Sequence, residues 1–228
     1  MIEYTENEKQ LKGYDFIDLF CGIGGFHLAL SSLGANCVFA SDIDKEACKV
    51  YETNFGLKPH GDITKIAEEK IPKHDILCAG FPCQPFSISG NQQGFDDEQG
   101  RGKLFFDIVR IAKYHKPKVL ILENVKNFEK HDGGKTIKRV EEELNDIGYT
   151  FFSEVLCASD FDVPQQRKRI YIVAFRNDLN IDTFEFPQGL NKFKVLKDVL
   201  ITKAENKIKG NYYIDREYTI KSLSLIHI

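Results

Sequence analysis

Between residues 14 and 175, short apolar runs alternate with stretches of helical periodicity, and that alternation leaves few architectures open. The runs 14–20, 37–42, 75–80, 118–125, 151–158 and 170–175 read as strands. Several are apolar on both faces, as the interior of a parallel sheet requires. Within 103–115, Leu104, Phe105, Ile108, Ile111 and Ala112 share one helical stripe, and within 134–147 so do Ile137, Val140, Leu144 and Ile147. Alternating strands and helices predict an α/β fold, a doubly wound and mostly parallel sheet, with ligand sites at the carboxyl ends of its strands.

The chain can bury such a sheet. Of its 228 residues 42% are hydrophobic, while 17 Gly and 7 Pro are too few for a collagenous or disordered chain. No apolar run approaches the roughly 20 residues that span a bilayer, and the acidic opening resembles no signal peptide. A cytoplasmic protein with no membrane partner is expected. With 31 Lys and Arg against 34 Asp and Glu, a histone-like basic protein is excluded. The first 75 residues hold 8 basic and 13 acidic side chains, which makes the later part the weakly favoured polyanion face. Six cysteines lie at irregular spacing without a C-x-x-C pair, so neither a zinc site nor a disulfide framework is indicated.

Four motifs carry chemistry. The segment Asp18-Leu19-Phe20-Cys21-Gly22-Ile23-Gly24-Gly25-Phe26 follows the first strand, where glycines let the backbone turn sharply and approach a ligand at a helix N-terminus. His27 stands where a dinucleotide fingerprint needs its third glycine, which disfavours NAD. The next strand ends at Ser41-Asp42. Asp42 could accept hydrogen bonds from both hydroxyls of a ribose, or Asp42 or Asp44 could simply cap the following helix. In Phe81-Pro82-Cys83-Gln84-Pro85-Phe86-Ser87, two prolines bracket a thiol at a strand end and restrict the backbone beside it, as a positioned nucleophile requires. The other five cysteines read as small, inert core residues.

Glu123-Asn124-Val125 places a carboxylate where an apolar strand meets its loop. Burial there would raise its pKa and make it a hydrogen-bond donor; a surface pair with Lys126 is the plain alternative. In Gln165-Gln166-Arg167-Lys168-Arg169, strand alternation would point both arginines to one side. Residues 87–103 are rich in Gly, Asn, Gln and Asp and read as a loop able to close over a substrate.

Together these segments resemble the bacterial DNA (cytosine-5) methyltransferases of restriction–modification systems. The resemblance rests on DLFCGIGGF at 18–26, Asp42, GDIT at 61–64, GFPCQPFSISG at 80–90, ENV at 123–125 and QQRKRIYIVAF at 165–175, in that order. It covers residues 14–185 and implies a Rossmann-like sheet that binds S-adenosyl-L-methionine. By resemblance, Phe20, Gly22, Gly24, Asp42, Ile43, Asp62, Pro82 and Leu104 surround the cofactor, with Asp42 on the ribose and Asp62 beside the adenine amine. Ile43 stands where the family usually has an aromatic residue, so adenine packing is expected to be aliphatic. Cys83 matches the nucleophile, Glu123 the acid on the target base, and Arg167 and Arg169 the site arginines; Gln84, Ser87 and Gln165 fall at matching motif positions.

The implied reaction is methyl transfer to carbon 5 of a cytosine flipped out of duplex DNA, through a covalent Cys83 adduct. An RNA cytosine-5 methyltransferase and a catalytically incompetent cofactor-binding fragment are the alternatives. The family continues after about residue 185 with a domain that reads the DNA sequence and a segment that completes the cofactor pocket. Residues 1–185 are accordingly expected to form the catalytic domain, and 186–222 the start of a connection, with a second chain as one source of the missing part. Residues 223–228, Leu-Ser-Leu-Ile-His-Ile, read as a translated transposon end of the kind used in sequencing libraries, hence a non-native tail.

Overall fold

The computed structural model describes residues 10–82, 103–190 and 195. Six strands form one sheet: β1 (Asp15–Leu19), β2 (Asn36–Ser41), β3 (Ile76–Ala79), β4 (Val119–Val125), β5 (Tyr149–Cys157) and β6 (Lys168–Arg176). Each lies within two residues of its expected limits. Among the described residues four α-helices intervene: α1 (Gly25–Ser32), α2 (Lys45–Phe55), α3 (Lys103–His115) and α4 (Lys135–Asp146). The strand order is β2-β1-β3-β4-β6-β5. β1 pairs parallel with β2 and β3, β3 pairs parallel with β4, and β6 runs antiparallel to β4.

Strand alternation distributes the core over both faces of this sheet. Ile17 and Leu19 of β1 join Phe105, Ile108 and Ile111 of α3 and Val140 and Leu144 of α4 in the largest buried cluster. Phe16, one position out of step, packs with Leu30 of α1 and Cys78 of β3. Strands buried on both sides explain why the sequence shows continuous apolar runs rather than strict alternation. The chain leaves β1 toward β2 and returns on its other side as β3, so the strand order reverses between the carboxyl ends of β1 and β3. A crevice for a ligand is expected at that reversal.

The described residues divide into two compact units, 10–156 with 168–186, and 157–167 with 187–190 and 195. The first holds the whole sheet except Cys157. In the second, the Ala158 N–H donates to Arg167 O and the Leu190 N–H to Asp160 O. The loop expected at 87–103 and the tail at 223–228 fall outside the described residues, apart from Lys103. Among the described residues no helix is long and apolar enough to cross a membrane, and no cluster of His, Cys, Asp and Glu could hold a metal.

Candidate active site

The chain turns hard where β1 ends. Phe20, Gly22 and Gly24 take left-handed φ values of 55°, 53° and 95°. A glycine is required at Gly24 for two reasons, because a Cβ there would also lie 2.1 Å from the Phe55 ring. Asp42, one residue past β2, holds this turn. Its Oδ2 accepts the Gly22 N–H at 2.8 Å and its Oδ1 the Asp44 N–H at 2.8 Å. Asp44 caps α2, accepting from the Glu46 and Ala47 N–H groups. The two roles left open by the sequence are therefore divided: Asp44 is the cap, and Asp42 faces the glycine turn. Ile23 and Ile43 beside it are 64% and 75% exposed among the described residues.

Asp62 reaches the same edge because residue 60 pairs with β2. His60 N–H donates to Ala40 O and Asp42 N–H to His60 O, at 2.7 and 2.9 Å. The Asp62 carboxylate begins the short 3-10 turn Ile63–Lys65, accepting the Thr64 N–H at 3.1 Å and the Thr64 hydroxyl at 2.7 Å. The hydroxyl bond leads in holding its pKa below the usual carboxylate range, assisted by the Thr64 amide and Lys65. Leu104, half-buried, stands in the first turn of α3.

The ends of β3 and β4 assemble the second part of the site. A Cβ at Gly80 would sit 3.7 Å from Glu123 Oε2 and 3.9 Å from the Phe20 carbonyl, so the strand end that leads toward Cys83 runs between the glycine turn and the carboxylate. Asn124, 2% exposed, fixes that strand end by donating from Nδ2 to Phe81 O at 3.1 Å. Glu123 Oε1 pairs with Arg169 Nε at 2.7 Å; the two side chains are 24% and 20% exposed. The register explains the pair. Arg169 lies opposite Val125 on antiparallel β6, diagonal to Glu123 on the same face.

This corrects the expectation of an apolar, desolvated setting for Glu123. The carboxylate keeps some solvent and faces a guanidinium, and its partner is Arg169 rather than Lys126. Pro82 is the last described residue before the thiol and is exposed. Cys83, Gln84 and Ser87 lie outside the described residues. Gln165 and Arg167 are exposed and belong to the second unit, whereas Arg169 belongs to the first.

Sequence reasoning passed over several groups. Asp18 is 1% exposed and, among the described residues, neither carboxyl oxygen has a hydrogen-bond partner. Burial pushes its pKa well up; the nearby His27 backbone N–H offsets part of this and Asp42 adds repulsion. On α1, His27 stacks on Phe55 at 4.0 Å, and its Nδ1 shares a 2.7 Å hydrogen bond with the Tyr51 hydroxyl. Asn124 and Arg110 support the site through backbone carbonyls. A signal existed for each: Asn124 adjoins Glu123, and Asp107 and Arg110 sit three apart on one predicted helix. Burial pushes up the thiols of Cys21, Cys37, Cys48 and Cys78, Cys37 to about 11; Cys21 and Cys78 are buried, whereas Cys37 and Cys48 are only partly so.

A mostly parallel sheet whose strand order reverses beside a glycine turn, with acids at successive strand ends, is the arrangement at which α/β folds take up a ligand. The family model described as C-5 cytosine-specific DNA methylase matches residues 14–225, and the chain belongs to that family. It is 56% identical over 205 residues to the type II methyltransferase M.HhaI of Haemophilus parahaemolyticus, covering 90% of this chain and 62% of that protein. Identity to the type II methyltransferase M.HaeII of Haemophilus aegyptius is 48% over 216 residues, 95% of this chain and 66% of the relative. The chain thus spans under two thirds of the length of these curated relatives. A crystal structure of the S. pombe Dnmt2 methyltransferase matches with a TM-score of 0.66 at 24% identity, over 93% of this chain and 67% of that one, a likeness of fold.

Proposed function

We propose that this chain carries the chemical half of a restriction–modification methyltransferase, moving a methyl group from S-adenosyl-L-methionine to carbon 5 of cytosine in duplex DNA. The observation that supports it most is the convergence at Gly80. There the end of β3, three residues before Cys83 in the chain, is flanked by the turn at Phe20 and by Glu123, which supports reading the turn and the acid as parts of one site. The donor set fits S-adenosylmethionine. Asp42 retains lone pairs for ribose hydroxyls, Asp62 can accept from an adenine amine, Ile23 and Ile43 offer exposed aliphatic surface to a base, and Gly22 has open space where a side chain would stand.

When bound, the cofactor supplies an electrophilic methyl group on a sulfonium. The chain must make carbon 5 electron-rich enough to take it. The Cys83 thiolate would add to carbon 6, forming a C–S bond and passing the ring's electron pair to carbon 5, which would bond the methyl carbon as the methyl–sulfur bond breaks and its electron pair stays on the departing thioether. Loss of the carbon 5 proton to a base then expels the thiolate and restores the ring. Glu123, oriented by Arg169, hydrogen-bonds the N3 and amine edge and stabilises charge as Cys83 adds. Arg167, Gln165, Gln84 and Ser87 contact the nucleic acid, and the base leaves the duplex to reach the thiol. In this reading 1–185 is the catalytic domain and 186–222 begins the connection to a domain that reads the DNA sequence. The place of work is the bacterial cytoplasm, on nucleoid DNA.

Incubating the chain and S-adenosylmethionine with duplex DNA containing 5-fluorocytosine tests this, because fluorine cannot leave as the proton does and the enzyme stays attached. A covalent complex that disappears in Cys83→Ala is expected. A complex that persists in Cys83→Ala overturns the nucleophile, and adducts on RNA but not on duplex DNA would redirect the substrate.

A further inference from the structure

The turn that presents Asp62 is three residues long, too short to hold its own shape. Its side-chain contacts are local, to Thr64 and to Lys65 at 3.4 Å. What anchors it comes from α3, across the fold. Arg110 donates from one terminal nitrogen to Ile63 O at 2.7 Å and from the other to Ile66 O at 3.0 Å, gripping the turn at both ends. The guanidinium is held in turn by Asp107 Oδ1 on Nε at 2.7 Å and by Glu68 Oε1 at 3.1 Å. Asp107 is buried to 11% side-chain exposure, and its pKa is pushed up by that burial against the pull of Arg110, with Asp62 and Glu68 adding repulsion.

We infer that Arg110, braced by Asp107, is a positioning residue that sets where the Asp62 carboxylate stands and so fixes the cofactor site's preference for adenine. The inference rests on the reading of this crevice as an S-adenosylmethionine site with Asp62 at the adenine amine. A planar guanidinium can serve two carbonyls and two carboxylates at once; an ammonium is a point charge that cannot reproduce the fork. α3 also carries Leu104, so one rigid helix supports both the turn and a neighbouring cofactor contact. Withdrawing the fork leaves two carbonyls and a buried carboxylate without their donor, and the turn is free to shift by the few tenths of an ångström that misalign a single hydrogen bond.

The test uses the full chain and two ligands, S-adenosylhomocysteine and S-inosylhomocysteine, which carries an oxygen in place of the adenine amine. Wild type should prefer the adenosyl ligand by about tenfold, the scale of one hydrogen bond to a carboxylate. In Arg110→Lys that preference should fall to about twofold, while amide exchange speeds up across 62–66 and stays unchanged in β1 and β4. Asp107→Asn keeps an acceptor for Nε and should retain most of the preference, which a merely stabilising role would not predict. Arg110→Lys with wild-type preference and wild-type exchange across 62–66 would overturn the inference. If wild type itself binds neither ligand or prefers neither, the adenine reading fails instead, and unchanged exchange in Arg110→Lys then refutes the clamp separately.

Discussion

The two sides of the crevice are built from different materials. At the ends of β1 and β2, backbone does most of the work: three left-handed residues in five positions, amide hydrogens on Asp42, and a glycine pressed against Phe55. At the ends of β3, β4 and β6, side chains do it: Asn124 on a carbonyl and Glu123 on Arg169. Backbone geometry is set by local sequence and tolerates little change in residue type. Side-chain pairs depend on strand register and can be altered without moving the chain. The first side should therefore fail by unfolding or loosening, and the second by losing chemistry while the fold persists.

Glu123→Ala is the most severe way to probe this difference. Adduct formation on 5-fluorocytosine DNA should slow by about a thousandfold, the upper range for loss of a positioned acid or charge stabiliser. Its urea midpoint should stay near wild type, because the pair is partly exposed. A large drop in stability would erase the contrast between the two sides.

A second probe lies away from both sides. His74, 4% exposed, precedes β3, and burial leads in pushing its pKa down to about 4. Its neutral form is the folded one, with Nδ1 donating to Pro72 O at 2.8 Å. Between pH 6.5 and 4 the unfolded chain binds the proton and the folded chain does not, so stability is full above 6.5 and is lost as pH falls. The loss should reach about 3 kcal/mol by pH 4. Urea melts of wild type and His74→Asn across that window check it; a variant as steep as wild type places the slope elsewhere.

Gly24→Ala should cost about 2 kcal/mol through its positive φ and the overlap with Phe55. Cofactor binding should weaken as well. Adding Phe55→Ala relieves the overlap but not the backbone strain, so rescue in calorimetry should be partial. Full rescue would show that packing rather than backbone controls this side. The smallest effect is expected from Lys49→Ala, which breaks a pair with Glu46 whose side chains are 70% and 80% exposed. Its change should stay within about 0.5 kcal/mol by urea melt.

The strands were legible as short apolar runs and the helices over 103–115 and 134–147 as apolar stripes, because each signal is carried within the element itself. The site motifs were legible as residue types at strand ends. Roles that depend on distant partners were not. Asp42 and Asp44 are two residues apart, and only the fold shows which of them caps α2 and which grips Gly22. Glu123 in an apolar run suggested desolvation, yet the antiparallel placement of β6 puts Arg169 beside it. Nothing in α3 itself marks Arg110, whose partners are the Ile63 and Ile66 carbonyls of a turn more than forty residues away.

By itself the sequence determined the order of elements, the left-handed turn after β1 and the chemical groups available at each strand end, because these follow from short-range sterics and periodic burial. Tertiary structure decided which of those groups meet: Glu123 with Arg169, Asn124 with Phe81, Arg110 with the Asp62 turn. Such meetings depend on strand order and register, which sum many weak contacts over the whole sheet, and no local stretch of chain encodes that sum.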